Sequence, residues 1–195
     1  MPWISSSVSF SPWGPLSGRR WRLSGQYAAD TDESGTLFTN VSLDFRQYAR
    51  LSARSILAMR LWGSFNDGDF SNPVVFGGLD TLRGFDYRSI VADNGFFANI
   101  ELRFPLFDQF GNRFLNFGGV RGILFVDIGG AWFNDGDFDF WDSENDRLQD
   151  GLASYGYGFT VNFLGVDMNF DFAKRTNFEE SLSSYESSFW IGARF

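Results

Sequence analysis

The chain has 195 residues and a formal charge of −8; it is 44% hydrophobic and 19% aromatic, with 25 Phe and 7 Trp. That much aromatic surface excludes a disordered chain, and the acidic balance argues against nucleic-acid binding. The absence of Cys and His excludes disulfides and thiolate metal sites and removes the usual general base and the commonest metal ligand.

No window approaches the roughly 18–20 continuous apolar residues of a transmembrane helix. If the chain spans a membrane it does so as strands, because a closed barrel is the other way to satisfy the backbone in lipid. Met1-Pro2-Trp3 is not followed by a basic and then apolar leader pattern. Targeting information has therefore been removed, or the chain is an excerpt of a longer precursor.

Taken in chain order, the sequence alternates apolar and polar residues in a two-step rhythm that sends successive side chains to opposite faces of a strand. Trp3 to Ser11 places Ile4, Val8 and Phe10 on one face and mostly serines on the other. Arg19 to Ala29 sets Trp21, Leu23, Gly25 and Tyr27 against Arg20, Arg22, Ser24 and Gln26. After an acidic turn from Asp30 to Gly35, the stretch Thr36 to Tyr48 opposes Leu37, Val41, Leu43 and Phe45 to Asn40, Ser42, Asp44 and Arg46. Ser52 to Phe65 opposes Leu57, Met59 and Leu61 to Arg54, Ala58 and Arg60.

A long connection, 66–94, follows. Gly95 to Leu106 then sets Phe96, Ala98, Ile100, Leu102 and Phe104 against Asn99, Glu101 and Arg103. In Val120 to Phe133, Leu124, Val126 and Ile128 lie opposite Phe125, Asp127 and Gly129. An acidic loop runs from Asn134 to Asp150. Two strands joined by a tight turn at Leu164-Gly165 follow, the first with Tyr157, Phe159, Val161 and Phe163 outward, the second with Val166, Met168, Phe170 and Phe172. The last strand, Ser187 to Phe195, places Phe189, Ile191, Ala193 and Phe195 on the apolar face.

Connections after Ala29, Phe65, Phe133 and Phe172 are polar or long, while those at Tyr48–Ser52 and Leu164 are short and Phe107–Gly118 is intermediate. Long loops on one rim and short turns on the other are the pattern of bacterial outer-membrane barrels, whose apolar face meets lipid and whose polar face lines the lumen. The fold expected is all-β: an antiparallel transmembrane β-barrel forming one domain over 1–195, located in the bacterial outer membrane. Trp3, Trp13, Trp21, Trp62, Trp132 and Trp190 are candidates for its interfacial girdles. Nine candidate strands conflict with the even number such barrels have. Either residues 1–18 do not span, leaving about eight strands, or the chain is the C-terminal part of a larger barrel.

The 66–94 connection contains Phe76-Gly77-Gly78-Leu79-Asp80-Thr81-Leu82-Arg83-Gly84-Phe85. It reads either as a packed surface loop or as a lumenal loop that folds back inside so that Arg83 meets a buried carboxylate. Asp127 is the best candidate, and Gly129 beside it leaves room for an incoming loop.

Here the residues meet a family. Leu82-Arg83-Gly84-Phe85 resembles the arginine-glycine-aromatic motif in the lumenal loop of the outer-membrane protein assembly factor and surface-antigen superfamily. Phe125-Val126-Asp127-Ile128-Gly129 resembles its partner motif on a later strand, and Asn99-Ile100-Glu101-Leu102-Arg103-Phe104-Pro105 is similar to the strand after the loop. Phe189-Trp190-Ile191-Gly192-Ala193-Arg194-Phe195 is similar to the C-terminal signal read by the assembly machinery, with Phe189, Ile191, Gly192 and Phe195 its key positions. The resemblance implies an integral outer-membrane barrel involved in inserting or translocating polypeptides. Its partners would be the lipid bilayer, the assembly machinery through the C-terminal strand, and client polypeptides. Members usually carry periplasmic transport-associated domains and about twice this number of strands, so this chain resembles the C-terminal portion of such a barrel, as a fragment or a minimal version.

Three other readings stand beside that one. A small structural outer-membrane barrel would have the same fold without transport. A soluble ligand-binding barrel would pack Leu, Val and Phe inside and leave Arg20, Arg22, Asp44, Arg46 and Glu101 in water. An enzyme would need acids such as Asp135 and Asp137, or Glu144 and Asp146, to act without histidine; a solvated acidic loop, or one bridging a divalent cation to lipid phosphates, is the simpler account. No catalytic residue, metal site or cofactor is expected.

Overall fold

The computed structural model describes residues 2–11, 14–29, 36–68, 72–107, 110–111, 116–182 and 184–195. Trp13 and the acidic turn at 30–35 lie outside them. The strands in chain order are β1 (Pro2–Ser6), β2 (Ser9–Ser11), β3 (Gly14–Ala29), β4 (Thr36–Arg50), β5 (Ile56–Asp67), β6 (Val74–Phe76), β7 (Ile90–Ala92) and β8 (Asn94–Phe107). They continue as β9 (Phe110–Gly111), β10 (Asn116–Trp132), β11 (Trp141–Asp142), β12 (Arg147–Leu148), β13 (Leu152–Phe163), β14 (Val166–Thr176) and β15 (Glu186–Ile191). Among the described residues there is no helix, and so none long and apolar enough to cross a membrane.

One antiparallel sheet carries the molecule, in the order β1-β3-β4-β5-β8-β10-β13-β14-β15. Long neighbours follow one another along the chain, as short turns favour. The turn between β13 and β14 is two residues, Leu164 and Gly165, both with positive φ, the geometry whose twist matches a hairpin. Residues 2–6 pair with 20–24, and 9–11 with 14–17, so the N-terminal segment is part of the sheet.

The two faces are inside-out relative to a soluble protein. On β8, Asn99 and Glu101 are fully buried while Ile100 between them is 50% exposed. On β10, Asp127 is fully buried and Val126 is 47% exposed. Asp171 and Asn169 of β14 are buried too, whereas Leu61, Leu124, Phe189 and Ile191 are exposed. A chain in water would bury the aliphatics and expose the carboxylates. The observed arrangement is stable where hydrocarbon solvates the outer flank and ion pairs satisfy the inner one.

Aromatic rings gather on that outer flank near the long-loop rim. Trp132 contacts Phe65 and Phe96, and Phe138 of the acidic loop stacks on Trp132 at 4.8 Å. Phe140 reaches Phe96 at 5.8 Å. Two expected girdle residues are instead inside. Trp62 shares the parity of Ala58 and Arg60 and stacks on Phe97 at 5.1 Å. Trp190 lies between the outward Phe189 and Ile191 and donates its indole N–H to Asp171 at 3.0 Å.

The last residues depart from the strand expected over Ser187 to Phe195. β15 ends at Ile191, and Gly192 turns the backbone with φ 148°. Phe195 does not face lipid; it is 3% exposed, packed with Tyr48, Ile56 and Ala58 on the inner wall. The cause is electrostatic as well as apolar. Arg194 donates to Asp171 at 2.6 Å, and Arg103 donates to the Phe195 carbonyl at 2.9 Å while lying over its ring.

Candidate functional site: an arginine-anchored lumenal loop

Residues 72–93, between β5 and β8, fold inward. Their stem is the short hairpin β6–β7, with Val74 opposite Ala92 and Phe76 opposite Ile90. Val74, Phe76 and Leu82 pack with Phe97 of β8 into a small apolar cluster that holds the loop against the wall. At the tip, Thr81 closes a tight turn: its hydroxyl donates to the Gly78 carbonyl at 2.7 Å and accepts from the Gly77 N–H at 3.1 Å. This turn projects Leu82 and Arg83 at β8 and β10.

Arg83 is 1% exposed. Its Nε donates to Asp127 Oδ2 at 2.7 Å and its Nη2 to Asp127 Oδ1 at 2.6 Å, the two-pronged geometry a guanidinium makes with a carboxylate. Nη1 donates to Glu101 Oε1 at 2.5 Å, and the backbone N–H adds a bond to Asp127 at 3.1 Å. Phe125 lies beneath the guanidinium, ring centre 3.6 Å away, and supplies a cation–π contact. Asn99 donates to Asp127 at 2.8 Å and also to the Thr81 carbonyl.

Two glycines make the docking possible. A Cβ on Gly129 would sit 2.7 Å from the Phe96 carbonyl and 3.3 Å from Leu82, so any side chain there would displace the loop tip. Gly84 has φ +85°, and its missing Cβ would lie 3.2 Å from Ala173. Phe85 next to it stacks under Arg175, at 4.6 Å, and Arg175 donates to the Gly84 carbonyl.

The pair belongs to a larger charge network. Glu101 also accepts from Arg103 Nε at 2.7 Å and lies 3.7 Å from Arg194. Arg194 in turn bonds to Asp171, Asn169 and Thr160. Three arginines (83, 103, 194) thus face three acids (101, 127, 171), a balanced set in which each buried charge has an opposite partner, the condition for keeping charges out of water. Alternation put Glu101 and Arg103 on the inner face, but sequence reasoning did not join Glu101 to Arg83, and it missed Asn99, Asp171 and Arg194 as members. Register would have found them: Asn99 is opposite Asp127 across the β8–β10 ladder.

The motif Arg83, Gly84 and Phe85 and the partner motif Phe125, Asp127 and Gly129 therefore come together. Phe189, Ile191, Gly192 and Phe195 do not join them as a unit: the first two lie on the outer flank, Gly192 ends the strand, and Phe195 is inside. In the acidic loop, Asp142 accepts from Asn145 Nδ2 at 2.7 Å, which holds its carboxyl below the usual range. Among the described residues no three acids converge as metal ligands. The buried site joins the guanidinium of the loop tip to carboxylates of the inner wall.

No curated protein matches the chain. Among solved structures it is similar to BamA from Haemophilus ducreyi lacking POTRA domains 1–3, with a TM-score of 0.67 at 17% identity, over 97% of this chain and 40% of that one. The chain thus spans less than half the length of that protein, and the likeness is one of fold. The Omp85 superfamily domain matches residues 11–195, so the chain belongs to the Omp85 superfamily, an outer-membrane insertion and translocation family.

Proposed function

We propose that this chain is the barrel, or the C-terminal part of the barrel, of a protein that inserts polypeptides into the bacterial outer membrane or translocates them across it. The observation that carries the reading is the loop tip held on the inner wall by Arg83, Asp127 and Glu101. Arg83, Gly84 and Phe85 fix the loop inside; Phe125, Asp127 and Gly129 form its receptor; none of the six is catalytic. The lipid-facing flank partners the bilayer. The strand bearing Phe189 and Ile191, with Gly192 and Phe195 after it, is the segment the assembly machinery reads, and client polypeptides are the cargo.

The test is reconstitution into vesicles with an unfolded client barrel added from outside, scored by client protease protection. Vesicles carrying the chain should protect the client several-fold faster than empty ones, and Arg83→Ala should remove most of that gain. A chain that inserts and folds but leaves the client rate at the empty-vesicle value would replace this reading with that of a structural barrel without transport. The inner wall already occupied by the loop and by Phe195 is what gives that second reading weight.

A further inference from the structure

The sequence holds a single lysine among its 16 cationic residues, Lys174. It stands near the long-loop end of β14 and shares the outward parity of Val166, Met168, Phe170 and Phe172. Along the outward parity of the consecutive strands β8, β10, β13 and β14 it is the one charged residue among those described. From Val166 to Lys174 the strand runs about 26 Å, at about 3.3 Å per residue. With the tilt of barrel strands, that length crosses most of an apolar band about 25 Å tall. The Lys174 ammonium therefore lies at the level of lipid headgroups, on the rim that long loops mark as the outward-facing one.

Tyrosines surround it. Tyr155 is its partner across the β13–β14 ladder. The Tyr185 ring centre lies 5.5 Å from Nζ, and Tyr157 meets Tyr185 edge-on, also at 5.5 Å. All three rings are exposed. Nearby polar groups are engaged elsewhere: Arg175 donates to the Gly84 carbonyl, and the Tyr155 hydroxyl donates to Ser181 Oγ at 3.4 Å. Among the described residues Lys174 makes no ion pair, and the Tyr157 and Tyr185 hydroxyls have no hydrogen-bond partner. Beneath this cluster an aromatic ladder descends the flank. Phe172 stacks on Tyr157 at 5.3 Å, and Phe170 lies between Phe159 and Phe189 at 4.8 and 4.9 Å.

An unpaired cation at the edge of hydrocarbon attracts an anion, and free hydroxyls beside it donate to that anion's oxygens. A dissolved anion would use only this upper part. A lipid uses both parts, its phosphate at the cation and its acyl chains along the aromatic ladder. A choline or ethanolamine headgroup would bring a second cation against Lys174, whereas a phosphomonoester brings close to two negative charges and three accepting oxygens. We propose that Lys174, Tyr157 and Tyr185 bind the phosphomonoester of a membrane lipid in the outward-facing leaflet, an acylated and phosphorylated sugar of the lipid A class. The inference uses the lipid-facing flank and stands whether or not the chain moves polypeptides.

Because Lys174 is the single lysine, its acylation by a water-soluble amine reagent can be followed on one peptide by mass spectrometry. The refolded chain is compared in phosphatidylcholine bilayers containing either lipid A or phosphatidylglycerol, matched in total negative charge. Diffuse attraction is worth about fivefold and acts in both. The site should slow acylation about tenfold further in lipid A, through charge-assisted bonds that a phosphodiester makes less well. Tyr157→Phe with Tyr185→Phe, which keeps both rings, should narrow that difference to about threefold or less. In native mass spectrometry from the lipid A bilayer, the unaltered chain should retain a lipid A molecule that Lys174→Gln releases. Equal slowing in the two bilayers would mean attraction by surface charge alone and would overturn the site. Slowing of the same size by inorganic phosphate in pure phosphatidylcholine would overturn it in favour of a dissolved anion. Retention of lipid A by Lys174→Gln would likewise overturn it.

Discussion

Replacing Arg83 with alanine removes three charge-assisted side-chain bonds of 2.5 to 2.7 Å and the cation–π contact with Phe125. Among the described residues Asp127 then keeps Asn99 and the backbone N–H of residue 83, and Glu101 keeps Arg103 and the more distant Arg194. Both carboxylates are fully buried, so the loss is the cost of breaking a buried ion pair, about 3–5 kcal/mol. At about 2–4 °C per kcal/mol for a domain of this size, the unfolding midpoint should fall by roughly 6–20 °C. Heat modifiability reads this directly, as the temperature at which the fast-migrating folded band gives way on a gel. Arg83→Lys should recover only part of the loss, because an ammonium keeps the charge without the planar fork. Arg83→Met with Asp127→Leu should cost less than the sum of the two single changes, since an apolar pair strands fewer charges. A midpoint unmoved by Arg83→Ala would show that the loop is not anchored there.

Gly129→Val should lower the midpoint in the same assay by the equivalent of about 1–3 kcal/mol through overpacking against the Phe96 carbonyl and Leu82. Gly84→Ala should cost a similar amount, about 1–3 kcal/mol, because its positive φ and the nearby Ala173 both resist a Cβ. Val126→Arg, on the outer flank, should destabilise the lipid-embedded chain by about 2–4 kcal/mol in denaturant titration from bilayers; a change under about half a kcal/mol, as on a soluble protein's surface, would contradict a lipid contact there.

Much of this was legible in the residues because a strand's period of two leaves little freedom once one face is known. Asn99, Glu101 and Arg103 on one side and Ile100, Leu102 and Phe104 on the other left two orientations, apolar side in or apolar side out, and the structure buries the polar side. Arg83 and Asp127 were legible for a different reason: a buried arginine needs a carboxylate, and Asp127 stands between Phe125 and Gly129 on the inner face. The same counting, carried two residues past Arg60, places Trp62 inside with Phe97; residue type alone, which points a tryptophan to the interface, does not. Phe195 was beyond the reach of periodicity. Nothing in the alternation signals that the strand stops at Gly192, and the attraction that turns the chain inward comes from Asp171 and Arg103, distant in sequence. The convergence of Glu101 with three arginines was hidden likewise, since it depends on register between strands and on a loop crossing from elsewhere.

Val41 and Ser42 are adjacent in β4, one on each face of the sheet, and give the most direct test of which face meets lipid. Single cysteines introduced at each, labelled with a small fluorophore and reconstituted in bilayers, can be quenched by nitroxide-bearing lipid or by aqueous iodide. The lipid quencher should act several-fold more strongly at position 41 than at 42, and iodide should show no preference for 41. Stronger lipid quenching at Ser42→Cys, or equal quenching at both, would contradict a sheet whose aliphatic side chains are solvated by hydrocarbon.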